Sequence, residues 1–126
     1  NKGCRFATVV ASSALVSDFV SMSEGVQVLP GAIINIGSEI GHNTIVNSGS
    51  IIEHDCVIGA NSHISPGAVL SGGVVVKNDV HIGTGASVIQ GVTISSHSVV
   101  GAGAYVTKNL PESQVVYPAR TKIKEL

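Results

Sequence analysis

The chain has 126 residues, 44% of them hydrophobic but only 3% aromatic and 12% charged, with a formal net charge of −1. That is one domain's worth of chain, too apolar to be disordered and lacking the basic excess of a nucleic-acid binder. No apolar run approaches the ~18 residues of a membrane helix and no secretory leader opens the chain, so no membrane partner is expected and the protein reads as cytoplasmic.

The apolar content is mostly Val and Ile, whose branched side chains are stiff at χ1 and suit strands better than helices. An all-β protein is therefore expected rather than a helical bundle. Residues 1–9 read as a lead-in, the end of an upstream domain, because residue 1 is not Met. From Val10 every sixth residue is aliphatic: Val10, Val16, Met22, Val28, Ile34, Ile40, Val46, Ile52, Ile58, Ile64, Leu70, Val76, Ile82, Val88, Ile94, Val100 and Val106. Chance agreement at every one of these positions is on the order of one in a hundred million. Four residues beyond each member up to Val100 stands a small residue or Val, from Ala14 through Ser38, Cys56 and Ala86 to Ala104. Neither helical periodicity nor simple alternation produces that pattern, whereas a coil of three short strands does, with one large and one small residue pointing inward per side. Gly41, Gly59, Gly83 and Gly101 each follow a large aliphatic residue, where a tight corner is expected to favour a residue without Cβ.

Residues 18 apart then lie one above the other, which converts sequence into neighbours. His54 is placed on Gly72, Asp55 on Gly73, Glu53 on Ser71 and His63 on His81. Taken singly, each of the five histidines (His42, His54, His63, His81, His97) reads as an exposed turn residue. His54 differs in its setting, Ile51-Ile-Glu-His-Asp-Cys-Val-Ile-Gly59, where flanking carboxylates can hold an imidazole in one tautomer and make it a better base. Gly72 and Gly73 are either a simple turn or a place where backbone N–H groups are open to an oxyanion. Cys4 and Cys56 form neither a disulfide framework nor a metal-ligand spacing, and Cys56 falls on an inward position, which argues against a nucleophile. The period breaks at Asn109, so residues 10–108 are expected to form the β-helical domain and residues 109–126 a C-terminal extension capping its open edge. Lys108, Arg120, Lys122 and Lys124 gather near that end, either as a solvated tail or as a site for phosphates.

The repeat from Val10 to Val106 resembles the hexapeptide-repeat proteins, whose fold is the left-handed parallel β-helix. The stretch from Asn47 through Glu53-His54-Asp55 to Ser62-His63 and Ser71-Gly72-Gly73, with Gly101 to Lys108 and Tyr117-Pro118-Ala119-Arg120, is similar to the sialic acid O-acetyltransferases and sugar-nucleotide N-acetyltransferases. The resemblance implies an acetyltransferase that uses acetyl-CoA and a sugar or nucleotide-sugar acceptor, works as a homotrimer, and needs no metal. It implies His54 as general base, Asp55 as the acid that orients it, and the Gly72 N–H as oxyanion donor. His63, Gly72, Gly73, Ala102, Lys108 and Arg120 would hold the cofactor, and Asn47 and Glu53 would lie by the acceptor. The relatives often carry Glu where Asp55 stands, and Val116-Tyr117 replaces their usual pair before Pro-Ala. The period has no insertion, so no long loop covers a substrate and a neighbouring chain is expected to complete the cleft.

Two other classes share this prism. A zinc hydratase of the γ-carbonic anhydrase kind requires a histidine pair five residues apart in those relatives, and the histidine spacings here are 12, 9, 18 and 16. A non-catalytic oligomerisation module would need neither the His-acid pair nor Ser-Gly-Gly. Metal content separates the first from an acetyltransferase, and the effect of replacing His54 separates the second.

Overall fold

The computed structural model describes residues 3–119 and 123–125. The chain is divided into two-residue strands, from β1 (Val9–Val10) to β18 (Val115–Val116), separated by four-residue corners as far as β17 (Tyr105–Val106). Up to β17 each strand pairs in parallel with the strand three places before or after it, and β18 joins β16, giving sheets of seven, six and five strands that form the three faces of a left-handed parallel β-helix. The register is 18 residues throughout the body: Val9 lies opposite Gln27, Gln27 opposite Ile45, Ile45 opposite His63, His63 opposite His81, and His81 opposite Val99. We call the faces A (beginning with β1), B (beginning with β2, Leu15–Val16) and C (beginning with β3, Ser21–Met22).

The two inward series read from the sequence are the two halves of the core. From Val28 to Val106 every large member is buried, and so is every small member from Val26 to Ala104. The first rung is open, with Val10 43% exposed, because no coil lies beneath it among the described residues. Burying Ser and Thr costs little here because the hydroxyls are hydrogen-bonded, several of them between two coils. Ser38 Oγ donates to the Glu53 carbonyl at 2.9 Å and accepts from the Cys56 amide at 3.2 Å. Thr44 does the same between the Gly59 carbonyl and the Ser62 amide, and Ser62 between Lys77 and Val80.

The glycines after large residues have a cause other than corner conformation. Positive φ occurs at the third corner position, as at Gly67 (φ 66°) and at Asp55 (φ 58°), and not at Gly41, Gly59, Gly83 or Gly101. Those four lie where successive coils touch: a Cβ on Gly83 would stand 2.5 Å from the Ala102 amide nitrogen and 2.7 Å from the Val100 carbonyl oxygen. The end of the prism also has its own rhythm. Ile94 bridges to Leu110, and Val99 lies opposite Val115, so the last coil closes with 16 residues instead of 18 and stays on the prism to Val116.

Candidate active site

His54 and Asp55 form the turn between β8 (Ile51–Ile52, face B) and β9 (Val57–Ile58, face C). The corner demands a left-handed residue in its second turn position, and Asp tolerates that conformation better than most non-glycine residues. Asp55 therefore makes the turn and turns its carboxylate back on its neighbour: Oδ2 lies 2.8 Å from His54 Nδ1. An ionised carboxylate only accepts, so Nδ1 carries the proton and Nε2 keeps its lone pair. Both side chains are open, 53% and 71% exposed, so the contact sets a tautomer rather than stability.

Glycines on the coils above and below make the space. A Cβ on Gly37 would collide with the Asp55 carboxylate, and one on Gly72 would stand 2.5 Å from His54 Nε2. The ring thus lies across Gly72 with its basic nitrogen against that residue's backbone. The Gly72 amide makes no backbone hydrogen bond among the described residues, whereas the Gly73 amide donates to the His54 carbonyl at 2.9 Å. Of the two glycines only Gly72 has an N–H free to serve a ligand. Gly72→Ala should fold, since its φ is ordinary and the obstructed atoms are the end of a side chain. It should nevertheless lower turnover by about tenfold or more by pushing His54 aside; unchanged kcat with an unchanged melting point would contradict the seating of the ring.

A second group lies at the corner between faces A and B. Asn47, just after β7 (Ile45–Val46), accepts the Ser48 amide on Oδ1 at 2.7 Å, which turns its Nδ2 toward His63 Nε2 at 2.9 Å. His63 opens β10 (His63–Ile64) and is half-buried, and burial, followed by the charge of His81, lowers its pKa. His81, on β13 (His81–Ile82), approaches Ser65 Oγ at 3.3 Å. Sequence reasoning did not connect Ser65 with His81, although Asn47–His63 and Ser65–His81 share one spacing of 16 residues. It also missed Asn35, whose Nδ2 donates to the Glu53 carboxylate at 2.9 Å from one coil below.

The structure unites His54, Asp55 and Gly72 at one corner, and Asn47 with His63 at another. The two corners are separated by the width of face B, about 15 Å at ~3.3 Å per residue. Glu53 stands on the edge of face B beside the first group. Ala102 is exposed at the corner between faces A and B near the top of the prism. Lys108 lines a pocket of about 270 Å³ with Tyr105, Leu110 and Val116. Arg120 and Lys122 lie outside the described residues.

Cys56, directly after the dyad, is buried, its Sγ 3.3 Å from the Ser71 carbonyl, and burial raises its thiol pKa. Ser38 and Ser62 occupy corresponding inward corners, so Cys56→Ser should keep kcat within about twofold; loss of turnover on that change would reveal a thiol intermediate. His97 lies at the third corner, 3.6 Å from Asp79 and 3.9 Å from Glu112. Among the described residues no group of three or more His, Cys, Asp or Glu is arranged to hold a metal ion. None of them forms a helix long and apolar enough to cross a membrane.

Residues 37–72 match the family described as bacterial transferase hexapeptide (six repeats), and residues 73–108 match the hexapeptide repeat of succinyl-transferase. No curated protein matches the chain. Among solved structures it is similar to PerB from Caulobacter crescentus in complex with CoA and GDP-perosamine, with 42% identity and a TM-score of 0.89 over 95% of this chain and 59% of that one. A mutant of perosamine N-acetyltransferase from the same organism, with a histidine replaced by asparagine and the same two ligands, gives 40% identity and 0.89, covering 97% and 59%. The acetyltransferase domain of PglB from Neisseria gonorrhoeae, in complex with acetyl coenzyme A, gives 33% identity and 0.89, covering 94% and 58%. The chain thus spans less than two thirds of the length of these solved chains.

Proposed function

From the premise that the chain belongs to the bacterial transferase hexapeptide family, we propose that it is an acetyltransferase moving the acetyl group of acetyl-CoA to an amine or hydroxyl of a sugar or nucleotide-sugar. The observation that carries this reading is the lone pair of His54 Nε2 held against the backbone of Gly72 by the Asp55 contact on Nδ1. The relatives with CoA, acetyl coenzyme A and GDP-perosamine support the choice of donor and acceptor.

The acceptor nitrogen or oxygen attacks the thioester carbonyl while its proton passes to His54 Nε2. The Gly72 N–H stabilises the tetrahedral oxyanion, and Asp55 stabilises the imidazolium that forms. The intermediate collapses by breaking the C–S bond, and CoA leaves as thiolate, taking up the proton that His54 holds. No acyl-enzyme intervenes. Glu53, fixed by Asn35, and Asn47 lie by the acceptor; His63 meets the thioester; Gly73, Ala102, Lys108 and Arg120 line the path of CoA, the two cations meeting its phosphates.

Because Asn47 and His63 stand a face away from His54, the cleft is completed by the corner of a neighbouring subunit in a homotrimer. Residues 10–108 are the acetyltransferase domain, and the extension that begins at Asn109 caps it; residues 120–122 and 126 of that extension lie outside the described residues. Acetyl-CoA and nucleotide-sugars are cytoplasmic metabolites, and the enzyme works there. Release of the CoA thiol from acetyl-CoA, followed in the presence and absence of a nucleotide-linked amino-sugar, tests the proposal. Acceptor-dependent release supports it, and no release with any amino-sugar or sialic acid contradicts it. Mixing His54→Ala chains with Asn47→Ala chains tests the shared cleft: activity should recover in the mixture if each site draws on two subunits.

A further inference from the structure

His81 has no part in the chemistry above, yet it is tied to it by geometry. Strands β10 and β13 are parallel neighbours with His63 opposite His81, and the rings meet edge to face, centroids 5.0 Å apart at 82°. On the other side of His63 the facing residue is Ile45, so His81 is the titratable group its strand neighbours present to it. Asn47 and Ser65, at the adjoining corner, are neutral.

We propose that His81, with its own ring steadied by Ser65, is a positioning residue that keeps His63 singly protonated in the Nδ1–H form that Asn47 selects, so that His63 serves as a hydrogen-bond donor and not as a second base. Asn47 has its oxygen occupied by the Ser48 amide, so its Nδ2 must donate, and His63 Nε2 must accept. The His63 proton is therefore on Nδ1, which has no protein partner among the described residues. His54 and His63 share a tautomer but present opposite ends: a lone pair on Nε2 at one corner and an N–H on Nδ1 at the other. A second proton on His63 would sit on Nε2, face the Asn47 amide donor to donor, and break that contact. Burial of His63 opposes this, and the His81 ring one rung away acts in the same direction. The catalytic consequence, an N–H offered to the acyl group, rests on the acetyltransferase reading; the tautomer set by Asn47 and the hold of His81 on the single protonation do not.

Nitrogen-edited NMR of the imidazoles in the full chain tests the inference, with His63 assigned through His63→Gln. The wild-type His63 should show the Nδ1–H tautomer. Its titration midpoint should move upward in both His81→Gln and His81→Phe, the latter keeping a ring at the contact without the charge. The loss of kcat/KM for acetyl-CoA in both variants should be greater near about pH 6 than near about pH 8, because an acid limb moves up with the midpoint. An Nε2–H tautomer in wild type, or an unmoved midpoint in both variants, overturns the inference even if acetyl transfer is observed. A moved midpoint in a protein that transfers no acetyl group upholds the positioning and removes the acetyltransferase reading instead.

Discussion

Replacing His54 with alanine should lower kcat by about a hundredfold or more while CoA binding is retained. The expectation follows from what the side chain touches. Its Nδ1 is engaged by Asp55, its Nε2 lies over Gly72, and it supports no buried packing because more than half of it is exposed. In the proposed mechanism its removal takes away the proton acceptor, and it leaves the core residues Ile52, Cys56 and Ile58 in place. Asp55→Asn should be milder, since an amide keeps the turn but can present either an acceptor or a donor to Nδ1. Steady-state rates together with calorimetry of CoA binding check both. Unchanged turnover in His54→Ala would remove the base, and lost CoA binding would place His54 in the cofactor site.

The second large effect is on stability. Gly83→Ala should destabilise the protein by about 3 kcal/mol or more, because the added Cβ meets backbone that cannot rotate away. The Gly83 amide is hydrogen-bonded to the Val100 carbonyl at 2.7 Å, so relief would mean separating two coils along a shared ladder. Gly67→Ala is the control: its Cβ would enter open space, and its cost is that of a left-handed alanine, roughly 1–2 kcal/mol. A corner that merely preferred glycine for its φ would reverse the order. Denaturant midpoints of the two variants decide between the explanations, and Gly67→Ala the more damaging of the pair would sink the stacking account.

Much of the fold is legible in the sequence because a narrow prism leaves little freedom. The buried positions recur at a fixed interval, and Ile52, Ile58 and Ile64 fall on them along with Cys56 and Ser62 between them. The neighbourhood of His54 and Gly72 is legible for the same reason, since the coil length fixes height. Side-chain reach is another matter. Nothing in an 18-residue ladder says that Asp55 turns back to Nδ1, that Gly37 makes room for it, or that Asn47 joins His63 across 16 residues. Those contacts depend on rotamers and on the left-handed corner. The role of Gly83 was hidden likewise, because the period shows where a glycine stands but not whether its φ or its neighbour requires it. The shortened last coil escaped because a period can show that it ends, and Leu110 and Val116 return to the prism out of step with it.

The most direct test of acetyl transfer by His54 is mass spectrometry of a panel of nucleotide-linked amino-sugars and sialic acid, incubated with acetyl-CoA and either the wild-type chain or His54→Ala. The account predicts one acceptor heavier by a single acetyl group with the wild type, and product formed about a hundredfold more slowly with the variant. Equal product from both proteins, or none from the wild type with every acceptor while the chain carries stoichiometric zinc, would contradict it.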